Sequence, residues 1–192
     1  MTRLVRVLVW LLAVAGAAAC ATGVWFLANG VSARPAPSSM EAFAAHRLRA
    51  LAIPSAAAAR TNPVPDGPEV VAEALAHFAD HCASCHANDG SGKTAMGQGL
   101  SPRAPDLRLP ATQQLSDGTL FYIIENGVKL TGMPAWATGT EAGEAASWRL
   151  VRFIRHLPSL SEAELQRMES LNPKSADEWR EAEEEQKFLE GR

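Results

Sequence analysis

Cysteine is scarce in this chain of 192 residues, which has only Cys20, Cys82 and Cys85. Cys20 lies in the leader, so two remain for everything else and a disulfide scaffold is excluded. Net charge is slight as well, −3 at neutral pH, and no basic excess points to nucleic acid. Hydrophobic residues make up 47% and charged residues 20%, an ordinary balance for a globular domain joined to a membrane segment.

Charge is missing altogether from Val7 to Ala28. As a helix rising ~1.5 Å per residue this run spans ~33 Å, enough for a bilayer core of about 30 Å. Arg3 and Arg6 precede it, and Trp10 and Trp25 lie near its ends, the pattern of a cytoplasmic N-terminus (1–6) followed by a transmembrane anchor (7–28). The apolar core of a cleaved signal peptide is about 7–15 residues long, which favours an uncleaved anchor. Two other readings stay open: Val31-Ser32-Ala33 resembles a small-residue cleavage site, and Ala17-Ala18-Ala19-Cys20 a lipoprotein box. All three export the chain beyond residue 33. Residues 29–67 read as a Pro/Ala-rich spacer, with Pro35 and Pro37 near its start and Pro63 and Pro65 near its end. Within it Met40, Phe43, Ala44, Leu48 and Leu51 recur at helical spacing beside Arg47 and Arg49. A helical spacer is the expectation; a helix on the anionic membrane face or against a partner is the alternative.

A helix is expected from Pro68, with Val71, Leu75, Phe78 and Cys82 on one stripe. It runs into His81-Cys82-Ala83-Ser84-Cys85-His86, which contains C-x-x-C-H, the attachment signature of a covalent haem. Each cysteine can form a thioether to a haem vinyl group, and His86 can offer its imidazole to the iron from the same side. Rival readings lack their context. His77, His81 and Cys85 could share a helix face, but a zinc site needs a second paired ligand set and none follows. A thioredoxin-like redox pair needs a βαβ setting, also missing. His77 and His81 are therefore read as solvated. The run to Gly92-Lys93-Thr94 fits a relaxed phosphate-loop pattern, but it follows a helix where that motif needs a strand. No nucleotide is expected, and Lys93 should point to solvent.

From Val70 to Leu157 the arrangement resembles a class I monohaem cytochrome c. That family has a helix ending in C-x-x-C-H, a glycine-rich loop, a proline strip, a short middle helix, a methionine loop and a C-terminal helix. The corresponding stretches here are Ala104-Pro105-Asp106-Leu107 for the strip and Gly132-Met133-Pro134 for the methionine loop. The resemblance implies an all-α cytochrome c fold, with three core helices around one covalently attached haem c, over residues 68–158. It further implies that the Pro105 carbonyl accepts a hydrogen bond from the His86 ring and that Leu107 packs on the porphyrin. A second-shell bond of that kind would orient the imidazole.

The middle helix can be read on its own: Ser116 caps it, Leu120, Ile123 and Ile124 form its apolar face, and Asn126-Gly127 stops it. The iron still needs a sixth ligand, and a thioether in a loop stiffened by the next proline can supply one. Met133 fits this place both by context and by resemblance; Met96 is the competitor, close after His86. The last core helix, about Glu141 to His156, should bury Ala146, Leu150, Phe153, Ile154 and Leu157; the resemblance implies that it crosses the first helix, so that Phe78 meets an aromatic or Leu150. Arg149, Arg152 and Arg155 fall on its solvated side, with a docking patch as the alternative. Residues 159–192 read as an acidic helical tail that either wraps the haem domain or binds a partner, with helix starts at Ser161 and Ser175 and with Trp179, Phe188 and Leu189 on the second helix.

Ligation by His86 and Met133 would saturate the iron and leave no place for a substrate. The expectation is an electron carrier rather than an enzyme, serving membrane-bound redox partner proteins at the periplasmic face of a bacterial inner membrane. A haem subunit of a larger dehydrogenase or reductase is one alternative. A peroxidase or gas sensor with a labile sixth ligand is another.

Overall fold

The computed structural model describes residues 2–29, 32, 35–174 and 176–190, and all regular structure among them is helical. Two compact units divide at Pro35. The first contains α1 (Arg3–Asn29), which is long and apolar enough over Arg3–Ala28 to cross a membrane and buries none of that stretch. The charge-free run lies wholly inside it. Val31 and Ala33 of the candidate cleavage site lie outside the described residues.

The second unit opens with α2 (Ser39–Ala52) and α3 (Ser55–Ala58). Next come α4 (Pro68–His81), α5 (Ala83–His86), α6 (Ala95–Gly99) and α7 (Pro110–Gln113). They are followed by α8 (Asp117–Asn126), α9 (Glu141–His156), α10 (Glu162–Leu171) and α11 (Ala176–Leu189). Local chemistry sets many of the ends. Pro68 occupies the first turn of α4, and the Ser116, Thr140 and Ser161 hydroxyls accept from the backbone N–H groups of Thr119, Gly143 and Glu164. At Gly127 the chain takes φ 64° and α8 ends.

The core forms where α4 crosses α9. Phe78 and Phe153, both fully buried, meet at 5.0 Å between ring centroids, the aromatic contact that the family resemblance implied. Trp148 falls outside the single predicted stripe, because Ser147, Trp148 and Val151 widen the buried face of α9. Its indole stacks on Phe121 at 4.0 Å and 11°, locking α8 to α9.

Two expectations are corrected. Residues 54–66 do not belong to a spacer. Ser116 donates to the Ala58 carbonyl at 2.7 Å, Asn62 donates to the Trp148 carbonyl at 3.0 Å, and the Arg60 guanidinium lies 4.6 Å from the Phe121 centroid while pairing with Glu144. This segment is a strap across α8 and α9, held by backbone acceptors and ring faces that need partners.

The arginines of α9 are not a solvated row. Arg152 donates to the Val64 carbonyl at 2.7 and 3.0 Å, and Arg155 donates to the Gln113 and Leu115 carbonyls and to Asp117. They satisfy loop carbonyls that no helix ladder serves. Of the two readings open for the tail, its first helix follows packing on the domain: α10 packs along α4, Met168 is fully buried, and Glu164 pairs with His156 Nε2 at 2.8 Å. Ser175 and the Trp179 side chain lie outside the described residues; Phe188 and Leu189 are exposed.

Candidate cofactor site

The end of α4 presents the sequence motif in one turn. The Cys82 N–H donates to the Phe78 carbonyl at 2.8 Å and the His86 N–H to the Cys82 carbonyl at 2.9 Å, so helical geometry carries through the junction into α5. Ala87 then takes φ 61° and ends it. Both cysteines are half-buried free thiols. Burial, aided by neighbouring Cys85, pushes the Cys82 thiol up to about 12, which keeps it neutral. His86 is half-buried, with Nδ1 fully buried and without a partner. Burial lowers its pKa, and the Pro105 carbonyl acts in the opposite direction. A neutral imidazole keeps a lone pair for a metal ion.

The chain after His86 folds back on the motif. Gly92 N–H donates to the His86 carbonyl at 2.7 Å, Leu107 N–H to the Gly90 carbonyl at 2.8 Å, and Ala104 N–H to the Gly97 carbonyl at 3.0 Å. The Thr94 hydroxyl donates to the Ser84 carbonyl at 2.7 Å and also caps α6 by accepting from Gly97 N–H at 2.8 Å. A Cβ on Gly97 would collide with the Cys85 carbonyl, so only glycine lets α6 lie this close to α5. Arg108 stitches the strip to the loop: it donates to both Asp106 oxygens at 2.9 and 2.7 Å and to Asp89 at 2.9 Å. Residues 104–107 thereby reach His86. Leu107 is buried, and Pro105 meets the ring, although the Nδ1 hydrogen bond implied by the resemblance is not closed. The loop that mimics a phosphate-binding motif leaves α5, a helix, and Lys93 is exposed.

Met133 belongs to the loop after α8 and is half-buried, whereas Met96 is exposed. The Met133 carbonyl accepts from Val128 N–H at 3.1 Å, and its own N–H donates to Thr131 Oγ1 at 3.1 Å. Trp136 N–H donates to the Ile124 carbonyl at 3.1 Å, tying the loop back to α8. The Trp136 ring stands edge-on to His81 at 5.3 Å, and His81 meets His77 at 5.0 Å. The two histidines are therefore not simply solvated. His81 joins the methionine loop to the end of α4, directly before Cys82, and half-buried His77 has its pKa lowered by burial and then by His81. The visible sequence signal for this contact was an aromatic residue three positions past Met133.

Met96 in α6, Leu109 before α7 and Leu130 in the methionine loop are exposed apolar residues on the stretch between His86 and Met133. Two free thiols and an adjacent imidazole whose pKa burial lowers fit haem c. The helical fold and this residue set define a c-type cytochrome. Residues 69–154, from the second residue of α4 into α9, match the family model described as cytochrome C oxidase, cbb3-type, subunit III, a c-type cytochrome family, and the match supports a c-type cytochrome domain over this stretch, for which haem c with its iron is the implied cofactor.

Proposed function

We propose that this chain binds one haem c through thioethers from Cys82 and Cys85, ligates its iron with His86 and Met133, and passes single electrons at the periplasmic face of a bacterial inner membrane, anchored there by α1. The observation that carries the reading is the single turn holding two free thiols and a neutral histidine, in a sequence with one C-x-x-C-H. When bound, haem c supplies one-electron exchange at iron, with a potential raised by a methionine ligand.

The protein's part is positional. Thr94 and Gly97 hold the Cys85 end of α5, burial keeps His86 unprotonated, and Leu107 offers an apolar contact. Gly127 and Trp136 hold the loop of Met133. With side chains serving both axial positions no place is left for a substrate, which favours a carrier for membrane-bound redox proteins over a peroxidase or gas sensor. Absorption spectra and a redox titration of the full chain in detergent test this. The expected result is a methionine-to-iron charge-transfer band, one-electron behaviour and no carbon monoxide binding by the reduced protein. Ready carbon monoxide binding would overturn the ligation.

A second reading is a haem subunit held within a larger respiratory complex, favoured by the match to an oxidase subunit family. Stoichiometric copurification of the untagged chain with another subunit would support it over a free carrier.

A further inference from the structure

α2 is a formed helix that leaves its apolar face exposed among the described residues. Its start is closed by a capping box, in which Ser38 N–H donates to the Glu41 carboxylate at 2.7 Å and Glu41 N–H to the Ser38 hydroxyl at 3.3 Å. Yet no residue of α2 is buried among the described residues, and Met40, Phe43, Leu48 and Leu51 are 62–83% exposed. At about 100° per residue these four and Ala44 share an arc of roughly 140°. A helix of 14 residues is marginal in water by itself, so this face calls for a surface.

The charges say which surface. Arg47 lies inside the apolar arc, its guanidinium 5.3 Å from the Phe43 centroid. An apolar groove on a protein would have to bury that cation, whereas a bilayer lets the stem stay with the apolar chains while the head reaches a phosphate. Glu41 is engaged by the capping box at Ser38, which leaves Arg47 as the charge within this face, and a cation there favours anionic headgroups.

We propose that α2 lies in the headgroup layer of an anionic bilayer and docks the haem domain on the membrane surface. This rests on the reading of α1 as the anchor: nine residues, 30–38, separate α1 from α2 and reach at most ~32 Å. Amide hydrogen exchange of the full-length holoprotein tests it, in nanodiscs of phosphatidylcholine alone and with about one-third phosphatidylglycerol. In the anionic discs residues 39–52 exchange about tenfold more slowly, and about 0.5 M salt partly reverses this. In the double variant Phe43→Glu, Leu48→Glu that protection is gone, with residues 69–154 unchanged. Equal exchange in both lipids overturns the proposal. So does protection in detergent that grows with protein concentration, which would assign the face to a second copy. Failure of the protein to stay with the discs would sink the anchor instead. In that case anionic vesicles added to the same protein still slow exchange over residues 39–52 if α2 docks on lipid, and unchanged exchange overturns the docking as well.

Discussion

The loop that follows His86 and the loop that carries Met133 each present a candidate ligand, but the chain holds them by different means. After His86, Gly90, Ser91, Gly92 and Gly97 are buried, backbone meets backbone across α5 and α6, and Arg108 ties two aspartates together. Around Met133 the neighbours Leu130, Gly132, Pro134 and Ala135 are exposed, and the loop hangs from Gly127 and a few hydrogen bonds to its own turn and to α8. Crowded backbone has one arrangement, whereas an exposed loop held by a few bonds has several of similar energy. The first region is therefore suited to holding a permanent attachment, and the second to adjusting the position of a ligand.

The sharpest way to break this contrast is Gly97→Ala. Its new methyl meets the Cys85 carbonyl, a backbone atom that cannot swing away, and a stability loss of about 3 kcal/mol or more is expected, with reduced yield of attached haem. Chemical denaturation with pyridine haemochrome quantification measures both; a variant as stable as its parent would remove the claim of crowding. Gly127→Ala should act only on the other side. Its φ of 64° and the contacts of 2.6–2.7 Å that a Cβ would make with Met133, Pro134 and Ala135 predict a displaced loop, at about 1–2 kcal/mol. The methionine-to-iron band should weaken at lower pH than in the parent during an alkaline titration, while the haem remains attached.

The smallest effect belongs to Arg108→Gln. Hydrogen bonds from Arg108 hold the Asp106 carboxyl below its ordinary value of 3.8; Asp89 is also lowered, the bonds from Ser91 and the nearby Arg108 outweighing its burial. A folded pKa below the unfolded one gives stability that is present above pH 3.8 and lost as pH falls further. The parent should lose stability in that window, and the variant should show a shallower loss. At neutral pH the change should be about 1 kcal/mol or less, since these groups are partly solvated. Thermal melts at stepped pH would reveal it; identical pH profiles would mean that Arg108 holds neither carboxylate.

What could be read beforehand was mostly short in range. The caps at Ser116 and Ser161, the stop at Gly127 and the spacing of Cys82, Cys85 and His86 lie within one turn of what they control. The buried faces of α4 and α9 could be read because each helix displays its own apolar stripe, whereas their crossing was implied only by the family resemblance. The strap at 54–66 could not, since Pro, Ala and Ser composition resembles a linker whether or not it packs. Arg152 and Arg155 also read as solvated because their partners lie elsewhere: Val64 is 88 residues away and Gln113 is 42.

Sequence by itself determined the chemistry available: two thiols, an imidazole and a thioether, an apolar leader, and helices whose ends and stripes are written locally. Only the tertiary structure decided which groups share a neighbourhood. It closed α6 onto Cys85 at Gly97, brought Trp136 to His81, and buried Met168 of the acidic tail in the core. Helix periodicity and capping act over three or four residues, whereas close packing and the satisfaction of loop carbonyls depend on whatever the folded chain carries past them.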